Sequence, residues 1–584
     1  MRPRTFSFPA RTLLLLLIGG SMLATCVWWW EDYSIRGIDS TLHIANALRF
    51  HDLLADNWNT PGQAPLDRLR FWYNAFSTPS ASLNTMWPQM PYWLSALFLE
   101  LHRSHFAIRL PMLLYFVILI LSCYSLAAKL QDRATGVLAA FFVSTTPLIF
   151  MASRHYALDF PMTAMALATW CCLIKSDHFS QRGWSFIAGL ALGLGMHCKG
   201  QILFFVTPII LVELARGLGS RTTGRWFRAP PRLNILLFLG AAFILAAPWW
   251  LRALPDIAQQ FREHVGSTEH LFFSQAKTDA PYSPLSMSWY LFFLWWHNGL
   301  GPVYALALLP SLWFLRRRTV PYLSTLFITI LGNLALFSIV LVLKQARYIL
   351  PLAPLVGIVL ALGLRAPLGK GWSGRTVLAL LILFGFAHYF FLSWHPDSYL
   401  YYLHGRRTYQ YSNIYMSPPQ PDTHRWRTPL AQELRRLAGS SPKVKVLLVG
   451  MDQSAHPPPL DAYIDYWLRL ADADIEVDHL FFNTHKVNEL VSHAEFVLVH
   501  LQELELSVLD SSAILTHLRG YLYPWSWDYL FPNPNLESFL LHFNDLFVFY
   551  SQYRTPDGHT ISVFVRRRAP DDIREFSPPP LPSP

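Results

Sequence analysis

The feature that most constrains this chain is a succession of apolar runs, most of them of membrane-crossing length, separated by short polar segments. They fall at about 12–30, 106–128, 134–152, 160–174, 184–198, 201–215, 233–251, 299–315, 319–343, 348–364 and 376–394, each bounded by charge or turn residues. The pattern predicts a polytopic α-helical membrane protein with about eleven transmembrane helices. Composition agrees, since 53% of the 584 residues are hydrophobic, 15% aromatic and only 14% charged, too apolar a balance for a soluble chain of this length. The mean hydropathy is nevertheless a modest +0.27, so a sizeable water-exposed part must dilute the apolar runs.

The loops assign the sides of the membrane. With a cytoplasmic N-terminus, the inner loops are "MRPRTFSFPAR", "KLQDR", "KSDHFSQR", "ARGLGSRTTGRWFRAPPR", "FLRRR" and "RAPLGKGWSGR", all basic and poor in acid, as the positive-inside rule requires. The formal charge of +10 is therefore a signature of topology, and no nucleic-acid partner is expected. The outer side takes the 31–105 loop, "ASRHYALDF", "HCKGQ", the 252–298 segment, "LKQARY" and everything after about residue 395. The expected location is the inner (plasma) membrane with the C-terminal part extracytoplasmic or periplasmic. A cleaved leader is the competing reading of the first run, because "MRPR" precedes leucines and "LATC" resembles a lipoprotein box. Thr25 is larger than the residue such a box prefers, and the run continues through "VWWW" as an uncleaved anchor with an aromatic belt would. The cysteines, Cys26, Cys123, Cys171, Cys172 and Cys198, lie in or beside apolar runs without a CxxC pair, which argues against a disulfide framework or a zinc site.

Residues 1–396 thus form the transmembrane domain with its long outer loop 31–105, 397–442 a linker and helix, 443–568 a soluble α/β domain, and 569–584, ending "FSPPPLPSP", a disordered tail. "TPLAQELRRLA" predicts a helix over 428–438, with Thr428 as N-cap, Pro429 at the first position and Gly439 as C-cap. "KVKVLLVG" (443–450) and "EFVLVHL" (495–501) read as strands alternating with helical stretches near 459–471 and 535–545, and "LFVFYSQYRTPDGHTISVFVRR" as a hairpin across Asp557-Gly558. "VGMDQSAHPPP" lacks the glycines of a phosphate loop, so nucleotide binding is not expected there.

Four short features share the outer side. Asp39 precedes His43 by one helical turn at the start of "STLHIANALRFHDLLADNW", a helix whose spacing suits one lying on the membrane surface; taken locally, Asp39 is an N-cap and His43 an interfacial histidine. "SRHYALDFP" places Arg154, His155 and Asp159 in a short turn before Pro161, where Asp159 could again serve as a cap. In "GLALGLGMHCKGQ" three glycines, Gly189, Gly193 and Gly195, lighten the helix, the usual sign of close helix packing, and Lys199 arrives at its outer end, where it could simply snorkel. "LKQARYILPLAP" sets Lys344 and Arg347 on one face at the outer rim. Basic residues are unexpected on that side, and Lys199, Lys344 and Arg347, with Arg154 nearby in topology, fit an anion such as a lipid phosphate.

"GIDSTLH", "PQMPYWLSALFLELHRSHFAIRLP", "SRHYALDFPMTAMALA", "GLALGLGMHCKG" and "KQARYILPLAPLVGIVLALGL" occur in the order found in the C-type membrane-embedded glycosyltransferases. Over roughly residues 10 to 395 the chain resembles glycosyltransferase family 39, which includes protein O-mannosyltransferases and the lipid A aminoarabinose transferase. The resemblance implies a GT-C-type helix bundle, a sugar donor carried on a polyprenyl phosphate, and a site between the first long loop and the outer helix ends. By the same resemblance Asp39 and Asp159 match the outer acids, Asp39 as base on the acceptor hydroxyl or as an organiser of the site. Lys199, Lys344 and Arg347 match the cations that hold the donor phosphate. Many relatives carry Asp-Glu in the first loop, whereas Ser40 follows Asp39 here, so no cofactor is implied outright and use of a divalent cation stays open. "STEHLFFSQAKTDAPYSP" in the second outer loop resembles a Glu-His element of the lipid A branch, which brings in Glu269 and His270 as accessory residues.

The chemistry fits the residue types without the family. A hydroxyl attacking an anomeric carbon gives up a proton, which a carboxylate can take, and a departing lipid phosphate gains charge, which fixed cations stabilise. That predicts an inverting single displacement onto a lipid, glycan or protein acceptor. The alternative class is a lipid or oligosaccharide transporter or flippase. Transporters place ionisable residues near the midplane, often in two related halves, and neither feature is visible in this sequence.

Overall fold

The computed structural model describes residues 9–32, 38–59, 66–67, 90–219, 230–266, 283–295, 300–340, 345–368, 371–395, 419, 427–441, 443–450, 460–472, 474–479, 491–501, 543–554 and 560–567. They fall into two compact units. One comprises Met1–Trp30, Leu53–His102 and Phe106–Pro419; the other comprises Glu31–Asp52, Arg103–His105 and Gln420–Pro584.

The described part of the first unit is helical. In chain order the helices are α1 (Ala10–Glu31), α2 (Ile38–Asn59, whose residues up to Asp52 are in the second unit), α3 (Met90–Leu101), α4 (His105–Leu130), α5 (Arg133–Ser144), α6 (Pro147–Ala152), α7 (Asp159–Lys175), α8 (Arg182–Met196), α9 (Ile202–Gly219), α10 (Pro230–Gly266), α11 (Pro284–Trp295), α12 (Pro302–Leu315), α13 (Leu323–Val340), α14 (Leu352–Leu368) and α15 (Gly371–Trp394), with a 3-10 turn at Ala346–Ile349. Among the described residues four segments, Ala10–Glu31, His105–Leu130, Pro231–Pro255 and Gly371–Trp394, are long and apolar enough to cross a membrane. The run predicted over 134–152 is broken. Thr145 and Thr146 hydroxyls donate back to the carbonyls of Phe141 (2.8 Å) and Phe142 (2.6 Å), and Pro147 opens α6 at its first position, so α5 ends where the hydroxyls compete with its ladder.

The glycines of "GLALGLGM" do what their spacing predicts. α8 packs against α10 and α7. A Cβ on Gly189 would strike the carbonyl oxygen of Phe238 and come within 2.9 Å of the Ala241 Cβ, and one on Gly193 would come within 2.8 Å of the Leu245 Cβ. The expectation for "VWWW" needs adjustment. Trp28 and Trp29 are buried within the protein, donating to the carbonyls of Ser393 (3.2 Å) and Arg154 (2.9 Å), and Trp30 is the one that faces outward. At the end of α7 opposite Asp159, Glu213 of α9 is fully buried between His178 (2.7 Å) and Arg216 (3.2 Å).

The second unit contains a five-stranded sheet of order β2-β1-β3-β5-β4, with β1 (Val444–Gly450), β2 (Ile475–His479), β3 (Phe496–Leu501), β4 (Phe547–Arg554) and β5 (Thr560–Arg566). β1 runs parallel to β2 and β3, while β3–β5 and β5–β4 are antiparallel. Alternate residues of a strand share a face, so Val444, Val446 and Leu448 join Ile475, Val477, Phe496, Leu498, Ile561 and Val563 in one core. α16 (Arg427–Ala438) covers it with Leu430 and Leu434, and α17 (Leu460–Ala471) with Leu468. Gly439 ends α16 in the left-handed conformation (φ 64°), its N–H donating to the Arg435 carbonyl at 3.2 Å. The hairpin turn at Asp557-Gly558, the linker up to residue 418 and the tail 569–584 lie outside the described residues.

The close approach of α8 and α10 gives a direct test. Gly189→Val forces a branched side chain against the Phe238 backbone, and a destabilisation of about 1–3 kcal/mol is expected, read as a lower thermal midpoint of the detergent-solubilised protein, with Gly183→Val, which meets nothing within 4 Å, as the control.

Candidate functional site

α7 begins where Pro161 favours a helix start, and this sets Asp159 in its first turn. The cap reading does not describe this side chain, because Leu158 occupies the cap position without a side-chain bond. The Asp159 carboxylate instead accepts from the Lys199 ammonium at 2.8 Å. Both side chains are about 95% buried, with 4% and 5% relative exposure, so Lys199 does not snorkel. α8 ends at Met196, and His197 and Cys198 carry the chain on to Lys199. The His197 ring bonds the Leu245 carbonyl (2.7 Å), the Cys198 thiol donates to the Tyr115 hydroxyl (3.5 Å), and the indole N–H of Trp250 donates to the Met196 carbonyl (3.3 Å). The lysine therefore sits at a helix end fixed from three sides.

Tyr348 gathers the cations. Its ring centroid is 5.8 Å from the Lys199 Nζ and 5.4 Å from the Arg347 guanidinium carbon, distances at which the ring face attracts a cation. Arg347 and Tyr348 occupy the 3-10 turn Ala346–Ile349. The Arg347 Nε donates to the Gln345 side-chain oxygen (2.6 Å), and the Gln345 N–H donates to the hydroxyl of fully buried Tyr290 (3.2 Å). Residues from three separate sequence motifs, Asp159, Lys199 and Arg347, are thus brought together, with the Tyr348 ring near both cations. Tyr348 was not singled out by the sequence; its position directly after Arg347 in "KQARY" was the only signal.

The motif "PQMPYWLSALFLELH" is stitched to the same place. The Tyr156 hydroxyl donates to the Pro91 carbonyl (2.9 Å) and bonds the Ser95 hydroxyl (2.7 Å), its ring stacks on Tyr92 (6.5 Å), and the Met90 N–H donates to the His197 carbonyl (3.2 Å).

Arg154 is placed differently. Its guanidinium lies among the rings of Trp28 (5.1 Å), Phe150 (5.1 Å), Tyr389 (5.0 Å) and Trp394 (5.8 Å) and donates to the Ser393 hydroxyl (2.7 Å). None of these contacts is shared with Lys199 or Arg347. A flat, weakly hydrated guanidinium suits such a cage, which joins α1, α6 and α15. His155, beside it, is buried edge-on against Trp28 (6.0 Å).

Asp39 lies in the first turn of α2 rather than before it, a boundary shift of the usual size, and His43 is buried one turn on. The Asp39 side chain, all of Lys344, Glu269 and His270 lie outside the described residues. Among the described residues no three His, Cys, Asp or Glu side chains gather as metal ligands.

The family model described as dolichyl-phosphate-mannose-protein mannosyltransferase matches residues 87–251, a stretch that includes Asp159 and Lys199. The crystal structure of ArnT from Cupriavidus metallidurans in the apo state is similar in fold, with a TM-score of 0.55 and 14% identity over 95% of this chain and 98% of that one. The same protein bound to undecaprenyl phosphate gives a TM-score of 0.54 at 14% identity, with the same coverage of 95% and 98%. The oligosaccharyltransferase of Archaeoglobus fulgidus gives 0.46 at 15% identity over 98% of this chain and 76% of that one. No curated protein matches the sequence.

The pairing of Lys199 with Asp159 has a measurable consequence. Removing one member leaves the other as an uncompensated buried charge, so Asp159→Leu and Lys199→Met are each expected to destabilise by about 3–5 kcal/mol, while the double variant recovers much of the loss. Thermal unfolding of the four proteins in the same detergent measures it; additive losses would show that the two charges are not coupled.

Proposed function

From the premise that this chain resembles the C-type membrane glycosyltransferases in sequence and shares their fold, we propose that it transfers a sugar from a polyprenyl-phosphate donor to an acceptor hydroxyl at the outer face of the membrane. The observation that carries the proposal is the cluster of Lys199 and Arg347 about Tyr348, with Asp159 buried against Lys199. A phosphate near such cations gains more than it would in water, because the surroundings screen poorly.

The proposed reaction is a single displacement. The acceptor oxygen attacks the anomeric carbon, the bond from that carbon to the phosphate oxygen breaks with its electron pair leaving on the lipid phosphate, and the hydroxyl proton passes to Asp39. Inversion at the anomeric carbon follows. Lys199, Arg347 and Lys344 stabilise the charge that develops on the leaving phosphate, and Asp159 sets the position of the Lys199 ammonium through their ion pair. Lipid is a natural choice of carrier for a site among apolar helices, and the similar fold of ArnT was solved with undecaprenyl phosphate bound. On this reading the protein is integral to the plasma membrane, crosses it with about eleven helices, keeps its N-terminus cytoplasmic and holds the sheet-bearing unit outside.

The test supplies radiolabelled polyprenyl-phosphate sugars to the full-length protein in bilayers and follows transfer or donor hydrolysis. Asp39→Asn is expected to turn over about 10²–10⁴-fold more slowly. Equal turnover of the two proteins removes Asp39 from the chemistry, and movement of unmodified lipid without sugar transfer replaces the enzyme by a transporter.

A further inference from the structure

The residues that carry the proposed base belong to the second unit, together with the C-terminal sheet. Glu31–Asp52, Arg103–His105 and Gln420–Pro584 form one compact body, although some fifty residues separate the first two segments and more than three hundred the last two. Arg103 holds them. Its guanidinium donates to both carboxylate oxygens of Asp52 on α2, Nη1 to Oδ1 at 2.5 Å and Nη2 to Oδ2 at 3.2 Å. Nη2 also donates to the Arg469 carbonyl in the last turn of α17, at 2.7 Å. Last-turn carbonyls lack partners inside the helix, so this contact answers a need on the α17 side as well.

Neighbouring contacts follow the same line. His51 Nδ1 lies 3.0 Å from Asp52 Oδ1 and 3.1 Å from Arg103 Nη1. His105 is hydrogen-bonded to the Tyr466 hydroxyl at 2.6 Å and lies against the Trp467 ring at 4.9 Å, both on α17. Burial works to raise the Asp52 pKa, but the hydrogen bonds from His51 and Arg103 and the charge of Arg103 outweigh it, and the carboxyl is held below its ordinary value. The group is therefore ionised at neutral pH, and its contribution is lost only as pH falls through that lowered value.

We infer that Arg103 is a positioning residue, which fixes α2, and with it Asp39, to the C-terminal sheet by bridging Asp52 to the end of α17. Asp39 and Asp52 lie on one continuous helix, about 20 Å apart at 1.5 Å per residue, so an attachment at one end sets the position of the other. The inference rests on the reading of Asp39 as the base. It gives α17 and the C-terminal sheet a part in catalysis without requiring either to touch the donor.

The test uses the full chain in bilayers and compares wild type, Asp39→Asn, Arg103→Ala, Arg103→Lys, Asp52→Ala and the Asp52→Ala/Arg103→Ala double variant. Two quantities are read, kcat for sugar transfer and the Kd for polyprenyl phosphate without sugar. Arg103→Ala is expected to lower kcat by up to about 10²-fold, the loss that misplacement of a reacting group by an ångström can cause, with Kd unchanged within a factor of two. Arg103→Lys, which keeps the charge but not the bidentate fork, should recover part of kcat, and the double variant should lose no more than the worse single one. If Arg103→Ala keeps wild-type kcat while Asp39→Asn is slow, the positioning role is wrong and the reading of Asp39 stands. Loss of kcat and phosphate binding together would show a general structural role and overturn it equally. If Asp39→Asn turns over as fast as wild type, the reading of the base fails first and takes this inference with it.

Discussion

The ion pair between Asp159 and Lys199 is the constraint that organises one end of the helices α7 and α8 in the first unit. Two opposite charges, each about 95% buried, are tolerable together and costly apart. The start of α7 and the residues after α8 must therefore stay at one level. The other contacts at that level depend on it. The Met90 N–H reaches His197, Trp250 reaches Met196, and Tyr156, three residues before Asp159, binds Pro91 and Ser95. Because Lys199 is held there, its ammonium reaches the ring of Tyr348, which also meets Arg347.

Hydrophobic periodicity made the helices of the first unit readable, since an apolar run bounded by charge has few alternatives in a chain so poor in charge. It could not show the break after Ser144, because the apolar pattern continues through it; the three consecutive hydroxyl residues before Pro147 were the available sign. β2 was missed for a related reason. Ile475 and Val477 alternate with Glu476 and Asp478 over five residues, too short a run to stand out until β1 supplies the neighbouring strand. Gly439 and the strands β1 and β3 were legible because their signals are local.

The candidate site was legible as a set of charges in unexpected places, and its pairing was not. Asp159 and Lys199 are separated by 40 residues, and each had a local explanation, a helix cap and a snorkelling lysine. Only packing shows that each uses the other. Arg154 illustrates the reverse. Its charge and side of the chain resemble those of Lys199, yet four aromatic rings surround it. Nothing near it in sequence announces that cage, since Trp28, Tyr389 and Trp394 come from the far ends of the first unit.

The placement of charge along α7 bears on what kind of machine this unit can be. The helix carries a charge at each end, Asp159 and Lys175, with none between, over about 25 Å at 1.5 Å per residue. α8 carries one, Arg182, at its start. Glu213, His178 and Arg216 form a closed group at the Lys175 end of α7, with both Glu213 oxygens engaged. A conduit for a polar substrate needs ionisable or broken-helix sites in the middle of the span. In α7 and α8 the charges sit at the helix ends and the apolar stretches between them carry none, the opposite of that placement. The apolar stretch of α7 has an electrostatic effect of its own. It keeps the dielectric low beside Asp159 and Lys199, where the strength of each charge interaction depends on the exclusion of water.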